Sequence, residues 1–242
     1  MFTFFTKVQQ PSIELLGLRI DEPVTTLTGI FIAVTCFYCC YKLRQTDLSH
    51  PVLKFMYYFQ LTLGWSSLLG GILGHAFLYK LGLVWKLPGW ELAMISAFAM
   101  AQASLLRYYG TEKRNAYKKL TWANALTLTG CSALSAYTLD FFWVEIYTAI
   151  GLLAIMSTAE YRLYKSGDRA VSSLLLTGMI PMLISVVFIV VKFSASPWFN
   201  YFDISHLFIC ATVLYFFKAL QVQSQELAEG QTVNMFEPGS KG

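Results

Sequence analysis

The chain has 242 residues, 56% hydrophobic and only 13% charged, with a mean hydropathy of +0.52. Globular domains carry about a quarter charged residues, so this balance excludes a soluble enzyme, a disordered protein and a secreted disulfide scaffold. A net charge of +4 is too small to imply a nucleic-acid partner.

Residues 1–22 mix Phe2, Phe4, Phe5, Leu15, Leu16 and Leu18 with Lys7, Glu14 and Arg19. They lack the basic-then-apolar pattern of a signal peptide and read as an interfacial amphipathic helix. Seven apolar runs follow, at about 24–42, 53–79, 90–109, 119–138, 141–163, 170–192 and 201–222. Each is close to the roughly 20 residues that span a bilayer as a helix and too long for a barrel strand. Pro181 falls inside the sixth run and is expected to kink rather than end it. Residues 223–242 are polar, close on Glu-Pro-Gly-Ser-Lys-Gly, and read as a flexible cytoplasmic tail. The expected fold is therefore all-α: a seven-transmembrane helical bundle at 23–222 between two terminal segments.

Seven crossings put the termini on opposite sides. Of the 18 Lys and Arg, only Lys7, Arg19, Lys80, Lys86 and Lys192 fall on the N-terminal side. The positive-inside bias then sets the N-terminus outside and the C-terminus in the cytoplasm, as in a multi-pass protein of a bacterial inner membrane. The five cysteines (Cys36, Cys39, Cys40, Cys131, Cys210) all lie in apolar runs and read as small buried hydrophobes.

A polar group inside a membrane is costly and marks a site by default. His75, late in the second run, and His206, early in the seventh, share a depth near the outer face. Gly64, Ser67, Gly71 and Gly74/His75 recur at helical spacing as a stripe of small residues, which points that face at a neighbouring helix. Residues 199–206, Phe-Asn-Tyr-Phe-Asp-Ile-Ser-His, set Asp203 and His206 one turn apart. The pair could bind a metal, with Cys210 one turn further on, or Asp203 could simply cap its helix. Glu145 stands at the same outer level among Phe141, Phe142, Trp143, Val144 and Ile146. His75, His206, Asp203 and Glu145 together make the mixed nitrogen and oxygen set typical of zinc. Glu91 and Asp140 lie at that level too, whereas Arg107, Glu160, Arg162 and Lys218 are expected to anchor or pair at the inner ends.

With His75 late in helix two and His206 at the start of helix seven, the chain resembles the seven-helix superfamily of alkaline ceramidases and adiponectin-receptor-like proteins. That family carries Ser-x-x-x-His in its second helix, an acid at the third and His-x-x-x-His in the seventh. Here Gly71 stands four before His75, Glu91 would be the acid, and Cys210 replaces the second histidine. The segment 199–207 also resembles a motif of small uncharacterised bacterial seven-span proteins. The resemblance implies a zinc-dependent hydrolase of a lipid amide or ester. Zinc would lower the pKa of its water to about 7, Asp203 or Glu145 would take the proton, and Ser67 or Asn200 would steady the oxyanion. The substrate would be a membrane lipid entering between helices. Two rivals need no hydrolysis: a non-catalytic membrane sensor or structural subunit held by protein partners in the membrane, and a haem protein with His75 and His206 as axial ligands.

Overall fold

Leu16 and Gly17 both adopt positive φ, 53° and 76°, the two-residue turn whose twist suits a hairpin. Around it, β1 (Ile13–Leu15) pairs antiparallel with β2 (Leu18–Ile20), Glu14 facing Arg19. The computed structural model describes residues 10–110 and 113–236, with side chains to residue 229. The amphipathic helix expected over residues 1–22 is thus corrected for its described part. Alternation about a Leu-Gly turn outweighs the helical pattern, and residues 1–9 lie outside the described residues.

The described residues beyond the hairpin are helical at each of the seven apolar runs. These helices are α1 (Pro23–Leu43), α2 (Pro51–Leu69) with the short α3 (Leu78–Leu81), α4 (Leu87–Tyr109), α5 (Arg114–Thr138), α6 (Phe142–Thr148) with α7 (Ser157–Ser166), α8 (Ala170–Val191) and α9 (Tyr201–Phe236). Two π-helical stretches interrupt them. Gly70–Ala76 extends α2, and Ala149–Met156 joins α6 to α7. Five stretches are long and apolar enough to cross a membrane: Pro23–Leu43, Leu83–Tyr109, Phe142–Ser166, Ala170–Val191 and Tyr201–Glu229. α5 is weakened as a span by Lys118, Lys119 and its many Ser and Thr residues. Pro181 lies inside α8 without ending it.

α9 runs on to Phe236 where a flexible tail was expected. Gln, Glu, Leu and Ala after Leu220 are good helix formers and no proline intervenes; residues 237–242 lie outside the described residues.

α8 packs along α9 and α2 along α4, while α1 bridges α2 and α9. Small residues set these crossings. A Cβ on Gly71 would stand 3.1 Å from the Thr26 carbonyl oxygen, one on Gly64 2.8 Å from the Phe37 ring, and one on Gly178 2.8 Å from Tyr215 Cβ. Gly64 and Gly71 of the helix-two stripe therefore face α1, a neighbouring helix as the spacing predicts, while Gly74 packs on Lys86. Met94, Met100, Tyr147, Leu175, Phe59 and Phe216 fill the centre. Among the described residues all five cysteines are free and buried, and Cys36, Cys39 and Cys210 pack with Ile32 and Val213.

Candidate functional site

The turn before α9 builds the site. Ser196 Oγ accepts the Trp198 and Phe199 amides at 3.2 and 3.0 Å, which delivers Asn200 to the helix start. Asn200 Oδ1 accepts the Phe202 and Asp203 amides at 2.8 and 3.4 Å, and Asp203 Oδ2 accepts the Asn200 amide at 2.7 Å. This reciprocal arrangement is a capping box, so the capping role weighed for Asp203 is real.

Asp203 nevertheless does more. It is fully buried. Its Oδ2 also accepts Gln10 Nε2 at 2.6 Å, and its Oδ1 accepts the Thr28 hydroxyl at 3.3 Å. Gln10 donates further to the Trp198 carbonyl at 3.1 Å and accepts the Thr25 amide at 3.3 Å. Thr28 Oγ lies 2.8 Å from His206 Nδ1. A hydroxyl has one proton. That proton has three acceptors within reach, the Thr25 carbonyl at 3.1 Å, Asp203 Oδ1 and His206 Nδ1; where His206 Nδ1–H is itself the donor, Thr28 donates to Thr25 or Asp203 and the ring's Nε2 is bare.

His75 sits in the π-helical stretch Gly70–Ala76, where Phe77 N–H reaches back to Ile72 at 3.1 Å. Single π turns of this kind recur at functional sites. Its Nδ1 meets Glu22 Oε2 at 2.5 Å, with the two side chains 17% and 25% exposed. Glu22 precedes Pro23 at the N-cap of α1 with φ 45°, yet makes no capping bond; its carboxylate is turned onto His75 instead. The His75 ring stands edge-on to Phe202, centroids 5.9 Å apart, one turn before His206. Asp21 N–H donates to the Ala76 carbonyl at 3.1 Å, Tyr79 donates to the Arg19 carbonyl at 3.0 Å, and the Arg19 guanidinium lies 4.9 Å from the Tyr79 ring centre. The hairpin is thereby fastened to the end of α2.

The structure brings His75, Asp203 and His206 to one end of the bundle but does not complete the predicted zinc set. Among the described residues no three His, Cys, Asp or Glu side chains converge as metal ligands. Glu145 is exposed on α6, which packs on α4 and α5 rather than on α9. Both Asp203 oxygens already accept hydrogen bonds. Cys210 belongs to the apolar cysteine cluster. Ser67 presents its carbonyl to Gly29, 3.3 Å from where a Cβ would stand. Both imidazoles hold Nδ1 partners other than Ser67. Two imidazoles fall short of the three protein ligands a catalytic zinc needs, so the residues do not fit the metal. Glu91 accepts from Ser132 and Ser135 of α5, and Asp140 Oδ1 accepts the Phe142 amide at 3.0 Å in the turn before α6.

Gln10, Glu22, Thr25 and Thr28 were missing from the predicted set. Thr25 and Thr28 stand three apart at the start of the first apolar run, a signal available in the sequence. No local pattern pairs Gln10 with a residue 193 positions away.

No curated protein and no solved structure matches the chain. A family model matches residues 24–225, from the first turn of α1 into α9: the chain belongs to a family of unknown function, DUF6962.

Proposed function

We propose that this is a multi-pass integral membrane protein crossing seven times, N-terminus outside, and that it acts as a non-catalytic sensor through its outer end. The observation that carries this reading is the buried Gln10–Asp203 hydrogen bond of 2.6 Å. It ties the segment before the hairpin to the start of α9, while the Glu22–His75 pair ties the segment after it to α2. The hairpin held between them exposes Ile13, Leu15, Leu16 and Leu18, an apolar surface suited to membrane lipid or a protein partner. Engagement of that surface pulls on Asp203 and His206, and through Thr28 on the packing of α1 against α9. Asp203 and the His206 Nδ1 are satisfied by protein groups, which supports a coupling role over chemistry.

Hydrogen–deuterium exchange in nanodiscs tests the coupling. Gln10→Leu is expected to speed exchange both in residues 13–22 and in the first turn of α9; acceleration confined to the hairpin would overturn it. Zinc analysis of the same preparation is the second arm. Less than a tenth of an equivalent (about the background expected when a third ligand is missing) is the expected result. One equivalent lost in His206→Ala would return the chain to the hydrolase reading.

A further inference from the structure

The hairpin carries its apolar residues on one face. Its register sets Ile13 opposite Ile20 and Leu15 opposite Leu18, with Glu14 opposite Arg19 on the other face, as alternation along a strand requires. Among the described residues nothing covers the aliphatic face: Ile13, Leu15 and Leu18 are exposed, and Leu16 at the tip is 96% exposed. Two strands of three residues each make a hairpin that is marginal in water by itself. An amphipathic element whose apolar face is bare is built for a surface outside the molecule.

The length of the connection decides which surface. β2 ends at Ile20 and α1 starts at Pro23, and Pro23–Leu43 is long and apolar enough to cross a membrane. Three residues reach about 10 Å at most, whereas the headgroup layer on each side of a bilayer is about 5–8 Å thick. With α1 crossing, the hairpin is held at headgroup depth. A second turn at the same end is built alike. Leu83, Val84 and Trp85 are exposed in the 3-10 turn Leu83–Lys86, where the apolar stretch Leu83–Tyr109 begins. Tyr79, just before this turn, donates to the Arg19 carbonyl at 3.0 Å, so turn and hairpin are neighbours. Tyr79, Trp85 and Trp198 are all exposed here, and Tyr and Trp gather where a membrane meets water.

We propose that the aliphatic face of the hairpin rests on the acyl chains of the outer leaflet. A two-stranded sheet leaves outward-facing amides that hydrocarbon could not satisfy, so the hairpin lies flat at the boundary, leucines down and the Glu14–Arg19 face toward water. This rests on the outer-end sensor proposed above and names what that sensor reads: the lipid packing of the leaflet under the hairpin.

Nitroxide labels on introduced cysteines, in the full chain in phosphatidylcholine nanodiscs, test the placement, since all five native cysteines are free and buried. Electron paramagnetic resonance reads collisions with oxygen, which concentrates in lipid, and with a water-soluble nickel chelate, which stays out of it. Leu15→Cys and Leu18→Cys are expected to favour oxygen over nickel several-fold relative to Glu14→Cys, approaching Val34→Cys, an exposed position midway along α1. Leu16→Cys at the tip supplies a third position should either substitution disturb the ladder. Equal nickel access on both faces puts the hairpin in water and overturns the proposal. Shielding of Leu15 and Leu18 from both reagents overturns it too, because protein then covers the face: a second copy, residues 1–9 or another partner. The labels report the hairpin's surroundings whatever Gln10→Leu does to α9, so failure here and failure of the coupling are read apart.

Discussion

Asp203 concentrates the cost and the benefit of the outer cluster in one side chain. A carboxylate buried among apolar helices needs several donors to survive desolvation. It finds them in the Gln10 amide, the Thr28 hydroxyl and the Asn200 amide. Removing it strands those donors and takes away one half of the capping box of α9. Asp203→Ala is therefore expected to cost about 2–3 kcal/mol, from a lost cap of about 1 kcal/mol and unmet donors to a charged acceptor. Asp203→Asn, which keeps one acceptor, should cost less. Unfolding midpoints in detergent rank the two, and equal midpoints for all three proteins would contradict the cluster's structural role. The same residue shows how much of the site was legible. Asp203 and His206 are one turn apart in a short, polar, locally readable segment, and the small-residue stripe points His75 inward. The partners were not readable, because Gln10 and Glu22 reach the cluster through a hairpin turn that the helical pattern hid. Glu145 misled for a related reason: apolar neighbours in sequence do not bury a side chain whose helix face turns outward.

At the level of elements, close crossings rather than apolar bulk hold the bundle, since helices in lipid gain little from burying more hydrocarbon. Gly178 and Gly130 separate these effects. A Cβ on Gly178 would meet Tyr215 Cβ at 2.8 Å and the Phe216 ring at 2.9 Å, whereas one on Gly130 meets nothing within 4 Å. Gly178→Ala must push α8 off α9 and is expected to cost about 1–3 kcal/mol. Gly130→Ala only gains helix propensity and should stabilise by up to about 1 kcal/mol. Thermal unfolding of the two variants in one detergent reads both signs, and destabilisation by Gly130→Ala would mean that its face of α5 is covered. Except for the far end of α9, the helices were legible to within a few residues, because continuous apolar length is the strongest signal a chain offers. The π-helical stretches were not, since inserting one residue into a turn leaves no trace in hydropathy.

Across the whole molecule, the charges and the helices have to agree on one orientation. Lys80 stands just beyond the π-helical end of α2, at the level of the His75 cluster, while Arg44, Lys54, Lys113, Arg114 and Lys165 gather at the far end. Basic residues resist translocation, so the proposed orientation keeps the far end inside and puts the hairpin end out. α2 and α5 lie outside the five most apolar stretches, yet each runs between helices that fit a bilayer and must return the chain if its neighbours cross. All five native cysteines are buried, so introduced thiols report cleanly. Lys80→Cys and Gln45→Cys place exposed thiols at the two ends of α2. A membrane-impermeant maleimide is expected to label Lys80→Cys in intact cells, and Gln45→Cys only after permeabilisation. Labelling of both in intact cells would mean that α2 does not cross, and the reverse pattern would invert the molecule.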